Sequence, residues 1–110
     1  MGKYVLLASS GIRKGQEKEF AVWHDTIHTP DVLAVPGVVA ARRLSPHPAT
    51  PAPTRHLMIY EIDADDPVSV LAEIGRRVQS GEMVISPTSD PEGAGMVLYE
   101  VVDARTHSSG

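Results

Sequence analysis

Two histidines lie one helical turn apart near the end of the first predicted helix. At about 100° per residue, His24 and His28 fall on one side of this helix, at the edge of an apolar stripe that includes Trp23 and Ile27. A neutral imidazole both accepts and donates protons near pH 7, so the pair suggests a general acid or base that Asp31 could orient. The same spacing also fits structural roles, with His24 satisfied by a hydrogen bond and His28 stabilised by the helix dipole.

The same histidines could instead bind a metal ion. Residues at i and i+4 can share a metal, and Asp31 or His56 could add a ligand. The metalloprotease form of this spacing has a glutamate after the first histidine, where this chain has Asp25. The chain also has no cysteine, which excludes thiolate ligands, disulfides and cysteine nucleophiles. We therefore expect neither a metal nor a cofactor.

Two consecutive arginines are candidates for substrate binding. Arg42 and Arg43 lie in a predicted strand, so they point to opposite faces of the sheet and one of them points inward. An inward arginine is costly unless it meets an anion. That anion could be a substrate carboxylate or enolate, or the side chain of Glu61 or Glu100 on a neighbouring strand.

Two tyrosines on inner strands could add hydroxyl groups to a site. Tyr60 and Tyr99 could assist a reaction, or could be core residues whose hydroxyls are satisfied. The sequence contains no nucleophile elbow, dinucleotide-binding fingerprint or P-loop. The tyrosines therefore point to no particular reaction by themselves.

Length and composition limit the class of protein. The 110 residues are 42% hydrophobic and carry a net charge of −4 with scattered basic residues, which argues against nucleic acid as a partner. No apolar run is long enough to span a bilayer, and the N-terminus has no signal-peptide pattern. We expect a cytoplasmic protein with no membrane partner, formed by one domain over residues 1–105 and a flexible tail over 106–110.

The hydrophobic pattern predicts the elements that position these residues. A helix over 15–28 has Phe20, Trp23 and Ile27 on its buried stripe, and a short turn follows Pro30. A second helix begins at Asp66 and ends at Gly81. Strands are predicted over 3–8, 38–44, 55–62 and 96–102, with loops at 45–54 and 86–95. The order is βαββαβ, which predicts an α+β, ferredoxin-like fold with a four-stranded antiparallel sheet.

The strands carry apolar residues on both faces. The runs 5–7, 57–59 and 97–98 are apolar without alternation, whereas a sheet with one solvated face should alternate. Two helices on a chain of this length cover only one face. A second copy of the sheet is the simplest cover for the other, so we expect a homodimer that pairs sheet to sheet.

The segment 23–43 carries a recognisable motif. It reads WHDTIHTPD over 23–31, VPGV over 35–38 and ARR over 41–43. This resembles the EthD-like group of dimeric α+β barrel proteins, whose first helix ends in a Trp-Tyr-Asp-x-x-His-x-Pro-Asp motif. The sequence departs from that motif at His24, where the group has tyrosine, and at Ile27, a position that is frequently acidic in the group.

The resemblance implies a homodimer with facing sheets and a pocket between each sheet and its own helices. His28 matches the histidine that looks into this pocket, and site roles are also implied for Trp23, Asp25, Asp31 and Arg43. The wider superfamily includes isomerases, cyclases, dehydratases, cofactor-free monooxygenases and heme-degrading proteins.

Together, the residues and the resemblance suggest a cofactor-independent acid/base enzyme acting on a small, mostly apolar, carbonyl-bearing metabolite. It would be an isomerase, cyclase or dehydratase. The alternatives are a cofactor-free monooxygenase and a non-catalytic accessory protein that binds a small molecule. The predicted catalytic residues are His28, His24, Asp31 and Tyr60, and the predicted substrate contacts are Trp23, Arg42, Arg43 and Tyr99.

Overall fold

The computed structural model describes residues 3–52 and 56–107. Predictions for residues 1–2, for the end of the Pro-rich loop and the strand start at 53–55, and for the tail at 108–110 fall outside these ranges. The strands are β1 (Lys3–Ile12), β2 (Val38–Leu44), β3 (His56–Asp63) and β4 (Ser89–Glu100); the helices are α1 (Glu17–Trp23), α2 (Thr29–Leu33) and α3 (Pro67–Ser80). A π-helical turn, His24–His28, joins α1 to α2.

The four strands form one antiparallel sheet in the order β2-β3-β1-β4. This confirms the predicted α+β, ferredoxin-like class. None of the helices in the described ranges is long and apolar enough to cross a membrane.

The helices cover one face of the sheet. On this face, Leu6 of β1 is opposite Tyr60 of β3, and both side chains are 2% exposed. Val70 and Ile74 of α3 pack into the same core, as the helical pattern predicts. The other buried hydrophobic residues of this core are Val32, Val35, Val38, Met58, Ile62 and Met83.

The ends of α3 follow the sequence signals. The Asp66 carboxylate accepts the Val68 N–H, and Pro67 occupies the first turn, where no N–H is needed. Gly81 ends the helix in the left-handed conformation, with φ 84°.

The opposite face of the sheet, here called the open face, is largely apolar. Leu7 of β1 lies between Ile59 of β3 and Val97 of β4, and none of these three side chains is fully buried. Val97 and Tyr99 are 50% and 54% exposed. The open face also includes Val5, Leu57, Leu44 and Arg42 by register.

Two strands are longer than predicted. The predicted end of the first strand at residue 8 and the predicted extent of the loop at 86–95 are wrong, because β1 continues to Ile12 and pairs with a β4 that starts at Ser89. A register shift between Ser9 and Gly11 accommodates the irregular pairing. Gly11 allows β1 and β4 to approach closely and does not form a turn, since a Cβ there would lie 2.8 Å from the Glu92 carbonyl oxygen.

The first predicted helix is also irregular. It begins at Glu17 and ends as an α-helix at Trp23, and the next five residues form the π-helical turn. The extra residue in this turn rotates the buried side of the segment. Ile27, predicted to be buried, is 48% exposed, whereas His24 is 3% exposed.

Candidate active site

The π-helical turn sets the position of the histidines. The Thr29 N–H donates to the His24 carbonyl oxygen, a five-residue step that is wider than an α-helical turn. This step also brings the Thr29 hydroxyl to 3.0 Å from His24 Nδ1. Single π-turns are frequent at functional sites, and here the turn begins at His24, whose side chain is 3% exposed.

Three imidazoles lie together beneath this turn and form what we call the histidine cluster: His24, His28 and His56. The ring centroids of His24 and His56 are 4.4 Å apart, and those of His24 and His28 are 5.0 Å apart. His56 reaches the cluster from the start of β3, on the helix-facing side of the strand. The cluster therefore joins the π-helical turn to the sheet.

Aromatic rings enclose the cluster. Trp23 stacks on His28 with centroids 4.9 Å apart and an angle of 24° between the planes. Phe20 meets His56 edge to face at 4.7 Å. These contacts surround the imidazoles with apolar atoms and few hydrogen-bonding groups.

This environment keeps the imidazoles neutral. Burial lowers the pKa of His24 to about 3, assisted by the nearby His56, His28 and Arg43, while Asp25 opposes the shift. Burial likewise lowers the pKa of His56 to about 4. The pKa of His28 is also lowered by burial, but the charge of Asp31 acts in the opposite direction. All three rings can therefore act as bases or neutral donors at pH 7.

A pocket of about 680 Å³ opens beside the histidine cluster. Tyr60 and Met58 of β3 line one part of it, and burial raises the pKa of the Tyr60 hydroxyl. The pocket is also lined by Trp23, Phe20, the three histidines, Arg13 and residues from 85 to 96.

Two buried polar atoms beside the pocket lack partners. Within the described residues, neither the Tyr60 hydroxyl nor His28 Nδ1 makes a hydrogen bond, although both atoms are shielded from solvent. Leaving such a group unsatisfied costs roughly 1–3 kcal/mol. A ligand that displaces the groups covering these atoms and supplies partners for them would recover that free energy.

A bidentate ion pair fixes the outside of the π-helical turn. Arg43 donates from Nε and Nη2 to the two carboxylate oxygens of Asp25, at 2.7 and 2.9 Å. This contact lowers the pKa of Asp25. The ion pair also connects the π-helical turn to β2. The charge of Arg43 further lowers the pKa of His24 and of His56.

The structure brings together only part of the predicted site. Trp23, His24, His28 and Tyr60 all line the pocket. Asp31 does not line the pocket, but its nearby charge acts to raise the pKa of His28, against the effect of burial.

The two arginines and the remaining tyrosine lie elsewhere. Arg43 is on the helix-facing side and is engaged by Asp25, in place of the expected Glu61 or Glu100. Arg42 lies on the open face opposite Ile59, and Tyr99 lies there opposite Val5. Arg42 and Tyr99 are therefore not part of this pocket.

Sequence reasoning considered His56 only as a metal ligand and gave Phe20 no role in a site. The alternation of β3 could have revealed His56, since it shares a face with Met58 and Tyr60. In the described part of the chain, no group of three or more His, Cys, Asp or Glu side chains has an arrangement that could hold a metal ion.

Comparisons with known proteins identify the fold. No protein-family model matches the chain, and no curated protein matches it. Among solved structures, it is similar to the heme-degrader MhuD from Mycobacterium tuberculosis with two hemes bound in its active site. That match has a TM-score of 0.65 and 17% identity, and it covers 94% of this chain and 99% of MhuD.

Two further structures share the fold. An EthD family protein from Bacillus halodurans has a TM-score of 0.57 at 10% identity, with coverage of 93% of this chain and 100% of that one. A protein of unknown function from Nitrosomonas europaea has a TM-score of 0.55 at 16% identity, with coverage of 99% and 98%. The chain thus shares its fold with these proteins, and the EthD family protein among them confirms the EthD-like resemblance at the level of the fold.

Proposed function

We propose that the protein is a cofactor-independent acid/base enzyme acting on a small, mostly apolar, carbonyl-bearing metabolite. The observation that carries this proposal is the pair of unpartnered buried atoms, His28 Nδ1 and the Tyr60 hydroxyl, on side chains that line one apolar pocket. A base and a hydroxyl donor are the two groups needed to move a proton next to a carbonyl.

His28 is the proposed base. In the tautomer that carries its proton on Nε2, Nδ1 offers a lone pair, and the lowered pKa favours the neutral imidazole at neutral pH. Nδ1 would take a proton from the carbon next to the substrate carbonyl. The Tyr60 O–H would donate a hydrogen bond to the oxygen as negative charge develops there, and returning the proton to another carbon would complete an isomerisation.

His24 and Asp31 are proposed as supporting residues. The Thr29 hydroxyl fixes the His24 ring, which lies 5.0 Å from the His28 ring and packs against it. Asp31 favours the protonated form of His28, which would stabilise the imidazolium after proton transfer.

Hydrogen–deuterium exchange tests this proposal without a known product. A panel of aromatic ketones and enones is incubated with the protein in D₂O, and exchange next to the carbonyl is followed by NMR. We expect catalysed exchange on at least one compound, reduced by roughly 10² to 10⁴ in His28→Gln. His107→Gln changes an exposed histidine outside the pocket and should retain the rate of the unmodified protein.

Stability measurements separate a catalytic role from a structural one. His28→Gln should unfold within about 1 kcal/mol of the unmodified protein, because the side chain lies at the rim of the core. Equal exchange rates in His28→Gln and the unmodified protein would contradict the assignment. So would loss of the fold in the variant.

The two alternatives differ in what is consumed. A cofactor-free monooxygenase would take up O₂ with an electron-rich phenol, whereas an accessory protein would bind compounds without exchange or turnover.

The likeness to MhuD also suggests a test with hemin. An iron ion at His24 would have to displace the neighbours of this ring, since His24 is 3% exposed and its ring centroid lies 4.4 Å from that of His56. We expect hemin titration to give no stoichiometric absorption change.

We also propose that the protein is a homodimer paired through the open face. Leu7, Ile59 and Val97 form the centre of this apolar surface. Burial against a second copy would remove it from water, and two-fold pairing is the commonest way to cover such a face.

A further inference from the structure

We propose that Arg13 forms a carboxylate subsite at the outer end of the pocket, and that the substrate is an elongated, largely aromatic acid. This inference rests on the proposed function, which places the carbonyl end of the substrate beside Tyr60. The inference itself concerns affinity and is therefore tested by a binding measurement.

Arg13 is held in place by the segment before β4. Its backbone N–H donates to the Thr88 carbonyl oxygen at 3.0 Å, and its Nε donates to the Pro87 carbonyl oxygen at 2.7 Å. Because the backbone and Nε are both anchored, the guanidinium lies at the pocket with its terminal nitrogens oriented.

The positive charge of Arg13 has no acidic partner among the residues that the structure describes. In the ranges 3–52 and 56–107, no carboxylate makes an ion pair with it. Asp90 lines the same pocket, but one of its oxygens accepts the Glu92 N–H at 3.0 Å. The planar guanidinium is suited to bidentate binding of a carboxylate, and Ser86 and Ser89 add hydroxyl groups to the pocket lining.

The pocket extends from Arg13 toward Tyr60. Tyr60 pairs with Leu6 of β1, whereas Arg13 follows the far end of that strand. The seven positions from Leu6 to Arg13 correspond to on the order of 20 Å of extended chain. Tyr60 and Arg13 therefore belong to different parts of the pocket lining, and a ligand that contacts both side chains extends along the pocket.

The walls between these two ends are apolar and aromatic. Phe20, Trp23 and Met58 line this part, together with the neutral histidine cluster. Flat aromatic rings fit such walls by stacking. An aromatic body with an oxygen at the inner end and a carboxylate at the outer end matches the whole length of the pocket.

Calorimetry with a matched pair of probes tests the subsite. 1-Naphthaleneacetate and 1-naphthaleneacetamide have the same rings and differ in charge. At pH 7.5 we expect the acid to bind the unmodified protein about tenfold more tightly than the amide, as a charge-assisted contact implies. Arg13→Gln should remove this preference and leave amide binding intact, which also shows that the pocket still forms.

Two further variants sharpen the result. Lys14→Gln removes the neighbouring exposed charge, which does not line the pocket, and should retain the preference. Asp90→Asn should increase the preference for the acid over the amide, because a negative charge is removed from the pocket lining. Equal affinity for the two probes in the unmodified protein would overturn the proposal, as would an unchanged preference in Arg13→Gln or a lack of binding by either probe.

Failure of the proposed reaction would look different. His28→Gln should keep the preference for the acid, since His28 is not part of the subsite. If the preference is present but no carbonyl compound undergoes exchange, the subsite stands and the acid/base assignment fails.

Discussion

Burial lowers the pKa of all three imidazoles in the histidine cluster, but the rings differ in their hydrogen bonding. The Thr29 hydroxyl lies at hydrogen-bonding distance from His24 Nδ1, and burial lowers the pKa of His24 to about 3. His28 shares the apolar surroundings, yet its Nδ1 has no partner among the described residues. On this difference rests the proposal that His28 is the base and that His24 supports it.

Tyr60→Phe should separate binding from stability. The change removes an unsatisfied buried hydroxyl, so the free energy of unfolding should stay the same or rise by up to about 1 kcal/mol in urea titrations. The rate of carbonyl exchange should nevertheless fall by roughly tenfold or more, because the donor to the developing oxyanion is lost. Tyr99→Phe is the matched control on the open face and should leave the rate unchanged. A Tyr60→Phe variant with full activity would remove Tyr60 from the mechanism.

At the level of elements, local sequence signals identified α3 because its cap, periodicity and glycine stop all agree. They missed the extension of β1 to Ile12, because Ser and Gly residues read as a turn when the pairing strand is not known. The π-helical turn was equally hidden. A wheel of uniform pitch buries Ile27, whereas the π-helical turn shifts the residues that follow His24 and leaves Ile27 48% exposed.

The prediction of the site from the sequence was incomplete for a similar reason. Trp23, His24, His28 and Tyr60 could be predicted because they lie within a motif or on a buried face. Arg13 could not, because its position depends on contacts with residues 87 and 88, which are distant in sequence.

The Asp25–Arg43 ion pair is predicted to position the π-helical turn. A double-mutant cycle with Asp25→Asn and Arg43→Gln should give a coupling of about 0.5–1 kcal/mol in unfolding, since both side chains are partly exposed. Either single change should lower kcat for exchange while KM changes little, because the turn that carries His28 is loosened. The exposed Asp103–Arg105 pair serves as the control cycle and should show no measurable coupling. Full kcat in both single variants would exclude a positioning role.

At the level of the whole molecule, we expect the open face to determine assembly. Val97→Lys places a charge beside Leu7 and Ile59 and should convert a dimer into a monomer at micromolar concentration. Sedimentation velocity measures this directly, and unfolding of the unmodified protein should depend on its concentration. Val68→Lys changes a valine that is 64% exposed on α3 and should leave the dimer intact. A monomeric unmodified protein would contradict the proposed pairing.

The pH profile of kcat/KM for carbonyl exchange tests the central claim most directly, because it reports the ionisation of the free enzyme. A base acts only when deprotonated, and burial lowers the pKa of His28 below its ordinary 6.5. We expect kcat/KM to be constant around neutral pH and to decline with unit slope only below an inflection under pH 6.5. In His28→Gln, the residual exchange should lose this inflection. An inflection that persists in His28→Gln, or a profile without one between pH 6.5 and the acid unfolding of the protein, would contradict the assignment of His28 as the base.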